Sequence, residues 1–92
     1  MIASFRDREA ETLFLSRRAS KRLAPDAKAA LTKLLLIDAA TRLGELMLPP
    51  GNDLKKLGGT PGLWQVRIRG PYRVRFRWDG QNAYDVEIGD FH

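Results

Sequence analysis

The hydrophobic period of this chain changes once, near Asn52, and that change limits what it can fold into. Before it, Ala27, Ala30, Leu31, Leu34 and Leu35 recur at three- and four-residue steps, with Asp26, Lys28 and Lys33 on the other face. After it, apolar and polar residues alternate. Trp64, Val66 and Ile68 share one face of a strand, with Gln65, Arg67 and Arg69 on the other. A second strand sets Tyr72, Val74, Phe76 and Trp78 inward and Arg73, Arg75 and Arg77 outward, and a third sets Tyr84, Val86 and Ile88 inward and Asp85 and Glu87 outward. Helices first and strands afterwards specify an α+β layer pair: two N-terminal helices packed on one face of a small antiparallel β-sheet. A length of 92 residues leaves room for a single domain, 1–92.

Local signals place the element ends. Asp7 is an N-cap, with Glu9 and Glu11 in a first turn where the helix dipole favours acids. That helix is expected to run to about Arg18 and to bury Leu13 and Phe14. Pro25 opens the second helix, which should reach about Thr41 and stop before Gly44. Pro49-Pro50-Gly51-Asn52 reads as a loop, because neither proline donates a backbone hydrogen bond. Ile2–Phe5 is a candidate edge strand, and Leu54 and Leu57 bracket a weaker one containing Lys55 and Lys56.

Register follows from keeping the apolar residues on one face. It sets Ile68 opposite Tyr72, Val66 opposite Val74 and Trp64 opposite Phe76, leaving Arg69-Gly70-Pro71 as a three-residue turn. Arg67 then lies directly across from Arg73, a like-charge pair that destabilises a sheet. In the next hairpin Phe76 pairs with Val86, Arg77 with Asp85 and Arg75 with Glu87, while Arg73 faces Gly89. Arg75 and Arg77 therefore read as structural cross-strand partners, and Arg67, Arg69 and Arg73 as unpaired.

Charge narrows the partners. Sixteen Lys and Arg against eleven Asp and Glu leave +5. Seven of those cations fall between Lys55 and Arg77, a stretch without any acid. Such a run favours an anionic partner. The absence of cysteine excludes disulfides and thiolate metal sites, and one histidine excludes a multi-histidine metal cluster. No cofactor is expected. The longest apolar run, Leu34 to Ile37, is too short for a membrane span, and the charges from Arg6 to Glu11 interrupt any signal peptide, so a soluble cytoplasmic protein is expected.

Arg67, Arg69 and Arg73 read either as a clamp for nucleic-acid phosphates or as a solvated face that keeps a small sheet soluble. Lys55 and Lys56 could reach a phosphate from the sheet rim, although isolated lysine pairs are usually only solvated. Gly58-Gly59 lacks the Gly-Lys-Ser/Thr ending of a phosphate-binding loop. His92 is the only side chain whose ordinary pKa permits ready proton transfer near neutrality. Phe91 and His92 follow Gly89, so the imidazole is expected beside the free arginines. The inward aromatic residues read as core packing rather than base stacking.

Together these features resemble the HigB branch of the RelE/ParE toxin superfamily. The resemblance is carried by Met1-Ile2-Ala3-Ser4-Phe5, Ile37-Asp38-Ala39-Ala40-Thr41 with Gly44-Glu45-Leu46, Trp64-Gln65-Val66-Arg67-Ile68-Arg69, Tyr72-Arg73-Val74 and the ending Asp90-Phe91-His92. It spans essentially the whole length. It implies a RelE/ParE-like fold and the toxin half of a type II toxin–antitoxin pair, a metal-independent endoribonuclease that cleaves mRNA in the ribosomal A site. The implied partners are the ribosome, mRNA and a small helix-turn-helix antitoxin, with operator DNA met only through that antitoxin. Catalytic roles carry over to His92 for proton transfer, Arg73 for phosphate binding and Lys55 or Lys56 as the loop base, with Arg67, Arg69 and Phe91 as RNA or ribosome contacts. The family often has tyrosine before the final histidine, where this chain has Phe91, so weaker chemistry is one expectation. A gyrase-inhibiting toxin of the ParE type and a non-catalytic RNA-binding module are the alternatives.

Overall fold

The computed structural model describes residues 1–49, 51–59 and 61–91. Asp7 caps the first helix, α1 (Arg8–Ser16), its carboxylate accepting the Glu9 N–H at 3.0 Å. The helix ends earlier than the expected Arg18. Arg17 takes a left-handed conformation (φ 60°), and its N–H closes on the Leu13 carbonyl. Pro25 sits in a 3₁₀ turn (Ala24–Asp26) that leads into α2 (Ala27–Ala39). Helix α2 stops at Ala39, short of Thr41, and buries Ala30, Leu34 and Ile37, while Leu35 faces outward at 42% exposure. A second 3₁₀ turn, Leu43–Leu46, is tied to the end of α2 by Glu45, whose carboxylate accepts from Thr41 and Arg42.

Four strands follow, β1 (Lys55–Lys56), β2 (Leu63–Arg69), β3 (Tyr72–Trp78) and β4 (Ala83–Asp90), in the antiparallel order β1-β2-β3-β4. The helices cover one face. Val66, Val74, Phe76 and Val86 from the sheet meet Leu13, Leu34, Ile37 and Leu46 in a fully buried core. Ile2–Phe5 is not a separate strand. It runs parallel along the outer edge of β4 through single bridges, Ile2 to Ala83 and Phe5 to Val86. Beyond Val86 the same edge is closed by side chains: Asp7 accepts the Ile88 N–H at 3.1 Å, and Arg22 donates to the Ile88 carbonyl at 3.0 Å. Arg22 also pairs with Asp7 and Glu9, so one guanidinium joins the start of α1 to the end of β4.

The central register agrees with parity: Trp64 faces Phe76, Val66 faces Val74 and Arg67 faces Arg73. Two bulges alter the rest. In β2, Ile68 is an extra residue, so Tyr72 pairs with Arg69 rather than Ile68 and the turn shrinks to Gly70-Pro71. Gly70 supplies the positive φ (53°) that this tighter turn needs. In β4, Asp85 adopts φ 54° and inserts a residue between the Arg75–Glu87 and Arg77–Tyr84 pairs. Ala83 and Val86 both turn inward as a result, and Tyr84 moves to the outer face, where its ring lies beneath Arg77. Tyr84 is therefore not a core residue. Among the described residues no helix is long and apolar enough to cross a membrane.

Candidate active site

The sheet face turned away from the helices carries the cations in rows set by the pairing. Cross-strand partners share a face about 5 Å apart. One row is Arg67, Arg73 and Gly89, and the next is Lys55, Gln65, Arg75 and Glu87. Lys56 pairs with Trp64, which in turn pairs with Phe76, so alternation sends it to the opposite face. Of the two loop lysines, only Lys55 shares the arginine face, where it pairs loosely with Asp53 at 3.7 Å.

Within these rows the arginines differ. Arg77 is neutralised by Asp85 at 2.8 Å, the ion pair expected from the sequence, although the bulge sets Tyr84 directly across. Arg73 has no acid. Its Nη1 donates to the carbonyls of Gly70 and Tyr72 at 2.7 and 3.0 Å, which directs the guanidinium along the β2–β3 turn. Arg67 is exposed and has no side-chain partner among the described residues. Arg69, expected beside these two, is not with them. The Ile68 bulge carries it toward the helices, and its Nε lies 3.9 Å from Asp26.

Arg75 overturns a second expectation. It stands opposite Glu87, yet no ion pair joins the two. Its guanidinium carbon instead lies 3.9 Å from the centroid of the Phe91 ring, and its Nε is buried without a hydrogen-bond partner among the described residues. A cation prefers an aromatic face when both are partly removed from water. The Phe91 ring is folded back over Gly89, so that a Cβ at Gly89 would stand 2.9 Å from Cζ of the ring. The chain's last aromatic residue thus rests on the arginine face, over the residue that faces Arg73. His92 lies outside the described residues, as do Pro50 and Thr60.

Three features of this site escaped sequence reasoning. The Gly89–Phe91 contact had a signal, since a glycine inside a strand often marks close approach of another group. The choice by Arg75 of a ring over Glu87 had none. Nor did Asn52, 1% exposed, which anchors the loop before β1. Its side chain donates to the Leu46 carbonyl at 3.0 Å and accepts from Lys33, and its own carbonyl accepts the Arg67 N–H at 2.6 Å.

Comparison with known proteins matches residues 3–92 to the model of a family described as the RelE-like toxin HigB of type II toxin–antitoxin systems. The chain belongs to the HigB-like toxin family. Among curated HigB proteins, it is 30% identical over 96 residues to "Endoribonuclease HigB" of Proteus vulgaris, covering both chains completely. It is also 32% identical over 81 residues to "Toxin HigB-1" of Vibrio cholerae serotype O1, covering 85% of this chain and 84% of that one. The RelE-like α+β fold and the toxin identity expected from the sequence therefore stand, and membership of a type II system implies a cognate antitoxin as partner.

Proposed function

We propose that this HigB-like toxin is a ribosome-dependent endoribonuclease of the cytoplasm that cleaves mRNA and so arrests translation. The observation that carries the reading is the Arg67–Arg73 pair: two guanidinium groups share a row on an exposed sheet face, neither is in an ion pair among the described residues, and the Phe91 ring is folded over Gly89, the next position of that row. Like charges held together in this way suit a polyanion that brings its own negative charge. The relative named an endoribonuclease, similar over the whole length, supports the same chemistry.

In this reading the ribose 2′-oxygen attacks the adjacent phosphorus. A P–O2′ bond forms, the P–O5′ bond breaks, and the downstream fragment leaves with a 5′-hydroxyl. The 2′-hydroxyl gives up a proton and the departing 5′-oxygen takes one. His92 transfers one of these protons, being the one side chain suited to it near neutral pH. Arg73 holds the phosphate and, with Arg67, opposes the charge that grows on its oxygens. Lys55, on the same face, serves as the loop base in preference to Lys56, and the ribosome supplies the remaining alignment. Phe91 contacts RNA or ribosome through the ring edge that Arg75 leaves open. Arg69 and Lys56 lie off this face and have no part in the chemistry.

The test is a purified translation reaction with mRNA 5′ ends mapped by primer extension. Intact protein should cut within A-site codons, and a variant lacking His92 should not, while both unfold cooperatively. A folded His92 deletion that cleaves at full rate overturns the reading. Stabilised gyrase–DNA breaks in place of RNA cleavage would assign the ParE-type alternative.

A further inference from the structure

Gly89 sits in the interior of β4, where glycine weakens a strand by its backbone freedom and offers no side chain to pack. Its backbone does not explain its presence, because Gly89 is absent from the left-handed positions that favour glycine. The neighbouring ring does explain it. A Cβ at Gly89 would meet Cζ of Phe91 at 2.9 Å and Cε1 at 3.0 Å, closer than such contacts are found. Arg75 stacks on the same ring, its guanidinium carbon 3.9 Å from the centroid. Arg75 keeps this position although Glu87 lies directly across the strand pair and its own Nε has no hydrogen-bond partner among the described residues.

We propose that Gly89 and Arg75 are positioning residues that together form a seat for the Phe91 ring, and that this seat sets where the residue joined to Phe91 begins. The inference rests on the ribonuclease reading for its catalytic consequence, but the seat itself does not depend on that reading. The ring is held by contact with a cation and by the space that a Cβ at Gly89 would fill. A displaced ring would shift the backbone at Phe91, and a misplacement of about an ångström costs on the order of 100-fold in an aligned reaction.

Two readouts test it on the full chain. By NMR of the free protein, ring current should displace one Gly89 Hα upfield of the other, and Phe91→Ala should abolish the difference. In the translation reaction, Gly89→Ala should lower kcat by about tenfold or more with KM little changed. Its thermal midpoint should hold or rise, since alanine in a permitted backbone conformation ordinarily stabilises. In a Phe91→Ala background the same Gly89→Ala change should cost less than about twofold, because the ring it obstructs is gone. Arg75→Lys should keep most of the rate and Arg75→Met should not, a comparison that stands even if Gly89→Ala fails to fold.

The proposal is overturned if Gly89 Hα shows no ring-current displacement, or if Gly89→Ala costs as much without the ring as with it. A displaced Gly89 Hα in a wild-type protein that cleaves no mRNA would remove the ribonuclease reading and leave the seat standing.

Discussion

Arg67 and Arg73 face each other across β2 and β3, and among the described residues no ion pair neutralises either. A directly opposed like-charge pair costs a sheet about 0.2–1 kcal/mol. Arg67→Thr should therefore raise stability by about 0.5 kcal/mol, seen as a higher urea midpoint with an unchanged slope. The same substitution should slow mRNA cleavage. A protein made less stable and no less active by Arg67→Thr would mark the arginine as structural.

Asn52 is the buried polar hub of the loop that leads to Lys55. Replacing it by leucine leaves the Leu46 carbonyl and the Lys33 ammonium without their partner. Each unsatisfied buried group costs about 1–3 kcal/mol. Asn52→Leu should lower stability by about 2–4 kcal/mol in urea unfolding, with the 47–54 segment losing amide protection first.

Asp7 and Arg22 close the β4 edge where the N-terminal segment stops. Asp7→Ala removes both a helix cap, worth about 1 kcal/mol, and the acceptor of the Ile88 N–H. Hydrogen exchange at Ile88 should accelerate more than exchange at Val74, its cross-strand partner. Equal acceleration at both would show only a global loss of stability.

Acid should weaken the fold through two exposed carboxylates. Glu45 is held below its ordinary pKa by hydrogen bonds from the Thr41 hydroxyl and the Thr41 and Arg42 N–H groups, and Asp79 by the Asn82 and Gln81 N–H groups. A depressed folded pKa gives stability that is complete above the unfolded value and is lost as pH falls through the folded one. The urea midpoint should thus be flat from pH 7 to about 5 and decline below about 4, the unfolded carboxylate range. Glu45→Gln should start lower and decline less.

The parts of this site that obey period and parity were legible in the residues themselves. Arg67 opposite Arg73, Arg73 opposite Gly89 and the Asp7 cap follow from alternation and helix-end chemistry. Misreadings cluster where one residue breaks the alternation. The bulge at Ile68 keeps that residue buried and sends Arg69 to the helix side, and Asp85 tolerates the positive φ that turns Tyr84 outward. Neither bulge has a periodic signature. The preference of Arg75 for Phe91 over Glu87 depends on the chain folding back over a missing Cβ, which no strand pattern encodes.

The parallel bridges from Ile2 and Phe5 to β4 join the opening stretch of these 92 residues to their final strand. Synthesis runs in the other order: the opening stretch emerges long before Ala83–Asp90 exists to receive it. Helices α1 and α2 can form as they are made, but the layer they cover stays open until its outermost ladder is complete. The arginine face is assembled in the same late event, because Gly89 and Phe91 arrive with that strand. The surface that carries Arg67 and Arg73 is thereby completed only as a closing act of folding.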